Sequence, residues 1–179
     1  MKIYRPAIWL RFARHSRGAT AVEFAIISVP LLAIILSIIQ IGLVFFLNAA
    51  IQTLAEQVSR TIMTGSAQSQ NLTQTQFDNL VCQDAPGIFK SNSCSGLMVD
   101  VESYPSFSVV STTSPTITYN GSGNVTNSWS YSPGNPGDIV IVRIMYEWPI
   151  YGGPLGVILR NQSNGTRLLM GTTVLKNEP

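Results

Sequence analysis

The chain offers few side chains able to do chemistry. Its 179 residues hold one histidine, His15, two cysteines, Cys82 and Cys94, and nine carboxylates. Beyond His15 there is no histidine, which removes the commonest general base, and with it Ser-His-Asp, Cys-His and histidine–metal arrangements. The outer acids, Glu56, Asp78, Asp84, Asp100, Glu102, Asp138, Glu147 and Glu178, form no ligand run. The alternating Asp-x-Asp-x-Asp-Gly spacing of a calcium loop is absent. Two cysteines with no histidine nearby do not make a four-ligand zinc site. The glycine-rich stretches near residues 121 and 152 fit neither the P-loop nor the dinucleotide pattern and read as turns. The expectation is a protein that is not an enzyme, with no cofactor and no bound metal.

Two arrangements remain. One is Gly18 followed five residues later by Glu23, where a basic head meets a long apolar run. The other is the Cys82/Cys94 pair. Both must be positioned by the elements around them, and charge shows which elements those are. Charged residues make up 11% of the chain, and the net charge is +2. Lys2, Arg5, Arg11, Arg14 and Arg17 all precede Gly18, and no acid precedes Glu23. Residues 19–179 hold six basic and nine acidic side chains, a net −3. The basicity belongs to the head alone, so no basic face is available for nucleic acid.

From Phe24 to Ala55 there is no charge for 32 residues. The core of this run, FAIISVPLLAIILSIIQIGLVFFL, is about 36 Å long as a helix, against the roughly 30 Å hydrocarbon core of a bilayer. It is apolar all round, as a lipid-facing helix is. Pro30, one turn in, should kink it. The positive-inside rule puts the N-terminus in the cytoplasm and the residues after about Asn48 outside. A cleaved secretory signal would have a shorter apolar region followed by a small-residue cleavage site, whereas this run is much longer and only the weak Leu47-Asn48-Ala49-Ala50 follows it. Glu23 is costly inside a bilayer, about 2.5–3.5 kcal/mol at a helix centre and less near the surface. As a first-turn residue it would favour the positive end of the helix dipole.

A basic leader ending in Gly18, four small or apolar residues, Glu23, the aromatic Phe24 and a long apolar helix resembles the type IV prepilin pattern. The segment RGATAVEFAIISVPLL is similar to the TadE-like pseudopilins of the Flp/Tad (tight adherence) branch, and the likeness continues through LNAAIQTLAEQVSRTIMTG, about residues 16–65. Weaker echoes are the cysteine pair, NPGDIVIVRIMYEWP and LKNEP. The resemblance implies a pilin-like fold and cleavage between Gly18 and Ala19 by a prepilin peptidase. The expected partners are that peptidase, other Tad pilins and minor pseudopilins, the inner-membrane assembly platform and the lipid bilayer, with no nucleic acid. The implied location is the bacterial inner membrane, single-pass, with the C-terminal domain periplasmic or extracellular. Major Flp pilins usually carry Glu-Tyr and are much shorter. Glu23-Phe24 and the present length suit a minor pseudopilin. Cleavage would create an ammonium at Ala19 that can pair with Glu23 of a neighbour or of its own chain, and paired charges near lipid cost less than separate ones.

Beyond the apolar run, Ile51, Leu54, Ala55, Val58 and Ile62 recur at helical spacing, and Gly65 is a suitable C-terminal cap. One helix is expected over about 19–64. Residues 64–76 read as a polar linker or a loosely held loop. Thr73 with Gln76 forms a capping box for a short helix through Phe77, Leu80 and Val81. Cys82 and Cys94 flank a Pro86-Gly87 turn in what should be an oxidising compartment. A disulfide there would be worth about 3 kcal/mol, the alternative being two free buried thiols. Residues 97–102 and 138–148 read as strands, with 107–110, 116–119 and 168–175 as further candidates. Asp100 and Glu102 share one strand face; they could form a carboxylate pair but read rather as a solvated edge. Residues 120–137 and 149–166 read as irregular.

The expected fold class is α+β: a long N-terminal helix, transmembrane and then amphipathic, packed on a small antiparallel sheet of three to five strands. The expected organisation is a leader at 1–18, a membrane helix at 19–48, its amphipathic continuation at 49–65 and an extracytoplasmic α+β domain at 66–179. A different class of function competes: an unprocessed, membrane-anchored binding module or adhesin, using Tyr104, Trp129, Tyr131, Trp148 and Tyr151 as its surface.

Overall fold

The computed structural model describes residues 16–111, 113–150 and 159–178. The elements are α1 (Ser16–Met63), α2 (Ser66–Ser69), α3 (Gln74–Asp84), β1 (Leu97–Tyr104), β2 (Ile139–Pro149) and β3 (Thr166–Lys176). The protein is α+β, with a long apolar N-terminal helix and a three-stranded antiparallel sheet. Residues 1–15, which hold most of the basic head, and 151–158, which include Tyr151, lie outside the described residues.

Two compact units divide the chain, with the boundary inside α1 after Gly42. In the first, α1 is apolar and open to its surroundings. Its side chains from Val22 to Ile39 are largely exposed, Phe24 at 74%. The stretch from Thr20 to Met63 holds an 18-residue window of mean hydropathy 2.6, only 11% of it buried, and is long and apolar enough to cross a membrane. Helical structure continues through Pro30. Residues 16–23 are all helical, so Glu23 lies at least two turns into α1 and not in the first turn. The dipole argument for an acid there does not hold, because that effect fades beyond the first turn.

In the second unit, α1 becomes amphipathic and its stripe forms the core. Leu47, Ile51, Leu54, Ala55, Val58 and Ile62 are all at most 1% exposed. Full burial of such a side chain contributes roughly 1.5–3 kcal/mol, so this stripe is a main fastening of the domain. Gly65, with φ 72°, takes the left-handed turn that ends the helix. The polar stretch 64–76 is not a linker. It contains α2, whose Ala67 is buried, and the start of α3. The Thr73/Gln76 capping box opens α3, and Phe77 and Val81 point into the core. Cys82 and Cys94 are joined as a disulfide, their Cα atoms 5.8 Å apart.

The sheet order is β1-β2-β3, with Asp100 opposite Arg143 and Ile144 opposite Gly171. Central β2 is buried from Ile139 to Met145. On one face Val99, Val101, Val140, Val142, Ile144 and Leu169 join the core of α1 and α3. On the other, Met98 and Met145 pack under Ile117, Tyr119, Val125 and Trp129 from the long β1–β2 connection. That connection adds no strand. Residues 107–109 form a 3-10 turn, and residues 116–119 contribute a single bridge, Tyr119 to Val125. Its polar groups are satisfied partly by isolated backbone bonds, among them the Val101–Tyr131 bridge to β1, and partly by side chains: Asn120 Oδ1 accepts from the N–H groups of Ser122 and Asn124.

Candidate functional site

The N-terminal site is built on one helix. Gly18, Thr20, Ala21, Val22, Glu23 and Phe24 are all helical and exposed. Nothing lies within 4 Å of a Cβ placed on Gly18, so its backbone is open to approach. The Gly18–Ala19 peptide is helical. A protease that needs an extended backbone has to unwind the helix there. Glu23 is the one carboxylate in the described part of the first unit, on a surface otherwise formed by Val22, Phe24, Ile26 and Ile27. Counted from Ala19, it would be the fifth residue of its helix.

A second arrangement fixes the domain to α1. The Gln52 side chain treats Thr172 as a neighbouring strand would. Gln52 Nε2 donates to Thr172 O at 3.1 Å, and Thr172 N donates to Gln52 Oε1 at 3.0 Å. Asn161 does the same more loosely at Leu168: Leu168 N donates to Asn161 Oδ1 at 2.7 Å, and Asn161 Nδ2 donates to Leu168 O at 3.4 Å. The outer edge of β3 is thereby partly covered, which blunts its tendency to pair with another strand. Gly171 lets β3 reach the helix. A Cβ there would fall on Ile51 O and lie 2.8 Å from Ile51 C and 2.9 Å from Gln52 Cα.

A third cluster occupies the opposite face of the sheet. Arg143 Nη1 donates to Asp100 Oδ2 and Glu102 Oε2, both at 2.8 Å, and Nη2 donates to Ser111 O at 2.9 Å. Asp100 Oδ1 accepts from Ser130 N. Asp100 and Glu102 are therefore not a solvated edge. The side chains of Asp100 and Arg143 are each 7% exposed, and the cluster ties two parts of the connection to β1 and β2. Burial disfavours the Glu102 carboxylate, but hydrogen bonds from Tyr104 and Arg143 and the Arg143 charge outweigh it, holding its carboxyl below the ordinary value of 4.5. At the far end of the same face, Glu147 accepts from Tyr119 and Thr166. Burial, then the Glu147 carboxylate, pushes the Tyr119 phenol up to about 12.

Among the described residues, the aromatic surface expected of a binding module is not assembled. Tyr131 packs on Phe77 with ring centroids 5.1 Å apart, and Trp148 packs against the helix-side core. Trp129 lies in the cluster on the other face, and Tyr104 donates to Glu102. Among the described residues no group of three or more His, Cys, Asp or Glu gathers to hold a metal. Sequence reading missed the roles of Gln52, Gly171 and Arg143. The one available signal was Arg143 itself, a lone charge in an apolar strand whose buried position demands acidic partners.

Comparison with known families matches residues 18–60 to the model of the TadE-like protein family. The matched segment begins at Gly18 and takes in Glu23, the apolar run and Gln52. Neither the curated proteins nor the solved structures give a match.

Proposed function

We propose, from the TadE-like region at residues 18–60, that this protein is a minor pseudopilin of a Tad-type pilus, held in the bacterial inner membrane and processed after Gly18. The region itself associates the chain with Tad pilus components. The finer role rests on one observation: Glu23 is exposed on an apolar helix, five residues past an unobstructed glycine.

In this reading the basic head keeps the N-terminus in the cytoplasm, and the apolar part of α1 spans the bilayer. Prepilin peptidase cuts between Gly18 and Ala19. The new ammonium of one subunit pairs with Glu23 of a neighbour. The pair relieves the cost of a lone carboxylate near lipid and sets the axial register of adjacent helices. The domain from Leu43 onward is carried outside the membrane, where an oxidising environment keeps the Cys82–Cys94 bond intact. Its partners are the peptidase, the other Tad pilins and minor pseudopilins, and the assembly platform. The role is structural.

The Glu23→Ala variant tests the pairing. It should insert and be cleaved normally in a host that makes the pilus, yet leave few or no pili by electron microscopy. Normal pili in that variant contradict the mechanism.

A further inference from the structure

We infer that the end of the domain where α1 enters it docks on phospholipid headgroups, with Arg160 and Arg167 binding their phosphates beside Trp148. The inference goes beyond pilus assembly. It rests on one part of that reading, that the apolar part of α1 crosses a membrane.

The contacts between α1 and β3 show which end this is. A Cβ on Gly171 would fall on Ile51 O, and Gln52 pairs with Thr172. Further along both elements, Glu178 N donates to Met63 O at 3.0 Å. The helix and the strand therefore run side by side in the same direction. α1 enters this unit at Leu43, and Val44 already belongs to its core. Val44 precedes Ile51 by about 10 Å of helix. Thr166, which opens β3, precedes Gly171 by about 16 Å of strand. The start of β3 thus reaches at least as far toward the incoming helix as the core does.

That end is basic and aromatic. Arg167 lies opposite Trp148 across the β2–β3 ladder, so both side chains share the face toward α1, and Trp148 is partly buried there. Arg167 is half-buried, and its Nη1 donates to Leu159 O at 3.0 Å. Arg160 is exposed and lies over the turn before β3: a Cβ on Gly165 would be 3.9 Å from its Cδ and 4.0 Å from its Nη1. Among the described residues neither arginine has a carboxylate within ion-pair distance, and both ion pairs belong to Arg143. Glu147 neighbours Trp148 in sequence but faces the other side of the sheet, where its Oε1 accepts from Tyr119, Asn164 and Thr166.

A half-buried guanidinium with unused N–H donors and no acid calls for an external anion. Its planar fork matches a phosphate bidentately. An indole, apolar with one N–H, is the usual neighbour at a membrane–water interface. A bilayer crossed by the preceding part of α1 presents phosphates at this level. Docking gives the domain a second point of attachment besides α1 and so braces it on the membrane.

The test uses the full chain in nanodiscs of phosphatidylcholine with a rising share of phosphatidylglycerol. Thermal unfolding of the domain is followed by near-ultraviolet circular dichroism. In low salt, phosphatidylglycerol at about half of the lipid should raise Tm by about 3–8 °C, and about 0.5 M NaCl should remove most of that rise. Arg160→Gln, at an exposed residue, should reduce the rise, and Arg160→Gln combined with Arg167→Gln should abolish it. Arg60→Gln, in the last turn of α1 and so at the far end, should keep it. Each variant is compared with its own Tm in pure phosphatidylcholine. A Tm independent of lipid charge, a rise kept in the double variant, or a rise lost equally in Arg60→Gln overturns the docking. A chain that washes off the nanodiscs contradicts the membrane span itself, and the docking with it.

Discussion

The side-chain amide of Gln52 pairs with both backbone groups of Thr172, so the helix contributes one rung to the sheet. The two residues are 120 positions apart. The same glutamine also donates to Glu56 Oε1, which holds its amide in place one turn along the helix. The link is directional: an amide supplies one donor and one acceptor, and Thr172 needs one of each.

Gln52→Ala should therefore destabilise the domain by about 1–3 kcal/mol, the loss of two hydrogen bonds at a partly buried edge. Gln52→Glu should also destabilise, because its carboxylate can accept from Thr172 N but offers nothing to Thr172 O. Denaturant midpoints of the full chain in micelles measure both. A midpoint unchanged in Gln52→Ala would show that the pairing contributes nothing.

Gly171→Ala tests the closeness of β3 and α1. Gly171 does not have a left-handed φ, so its backbone conformation does not require glycine. Only the helix backbone at Ile51 and Gln52 does, and backbone cannot rotate away as a side chain can. The methyl should force the strand off the helix and cost about 1–3 kcal/mol, the usual range for overpacking. Hydrogen exchange at Thr172 should quicken in the variant. Wild-type stability with unchanged exchange at Thr172 would refute the close approach.

Glu102 predicts an acid-sensitive component of stability. Its carboxyl is held low in the folded protein, so the unfolded chain binds the proton more readily as pH falls. The Glu102 contribution is fully present above its ordinary value of 4.5 and is lost as pH falls below that toward the depressed folded value. Glu102→Gln should flatten the pH dependence of Tm in that window and leave the rest of the profile in place. A variant that keeps the wild-type acid slope would show that the Arg143 cluster does not carry it.

The parts of the fold legible in the sequence are those with a local period. The α1 stripe from Ile51 to Ile62 is a three- and four-residue repeat, β2 is an apolar run of strand length, and the Thr73/Gln76 box is a four-residue signal. The layer over the second sheet face has no such period. Its fastenings span long separations, 30 residues from Asp100 to Ser130 and 28 from Tyr119 to Glu147, and its backbone is satisfied by side chains and isolated bridges in place of ladders. Residues 107–110 and 116–119 have strand composition, yet nothing pairs with them beyond one bridge. At the N-terminal site the residue types and spacing were legible throughout. The helix upstream of residue 19, already present at 16–18, was not, because small residues after a basic head carry no helix-start signal.

The central claim, processing after Gly18, is tested most directly by the N-terminus of the protein isolated from its native host. Mass spectrometry should find a mature chain beginning at Ala19, and the same chain made without a prepilin peptidase should keep its leader. An N-terminus at Met1 in the presence of the peptidase, or one near Ile51, would contradict the account.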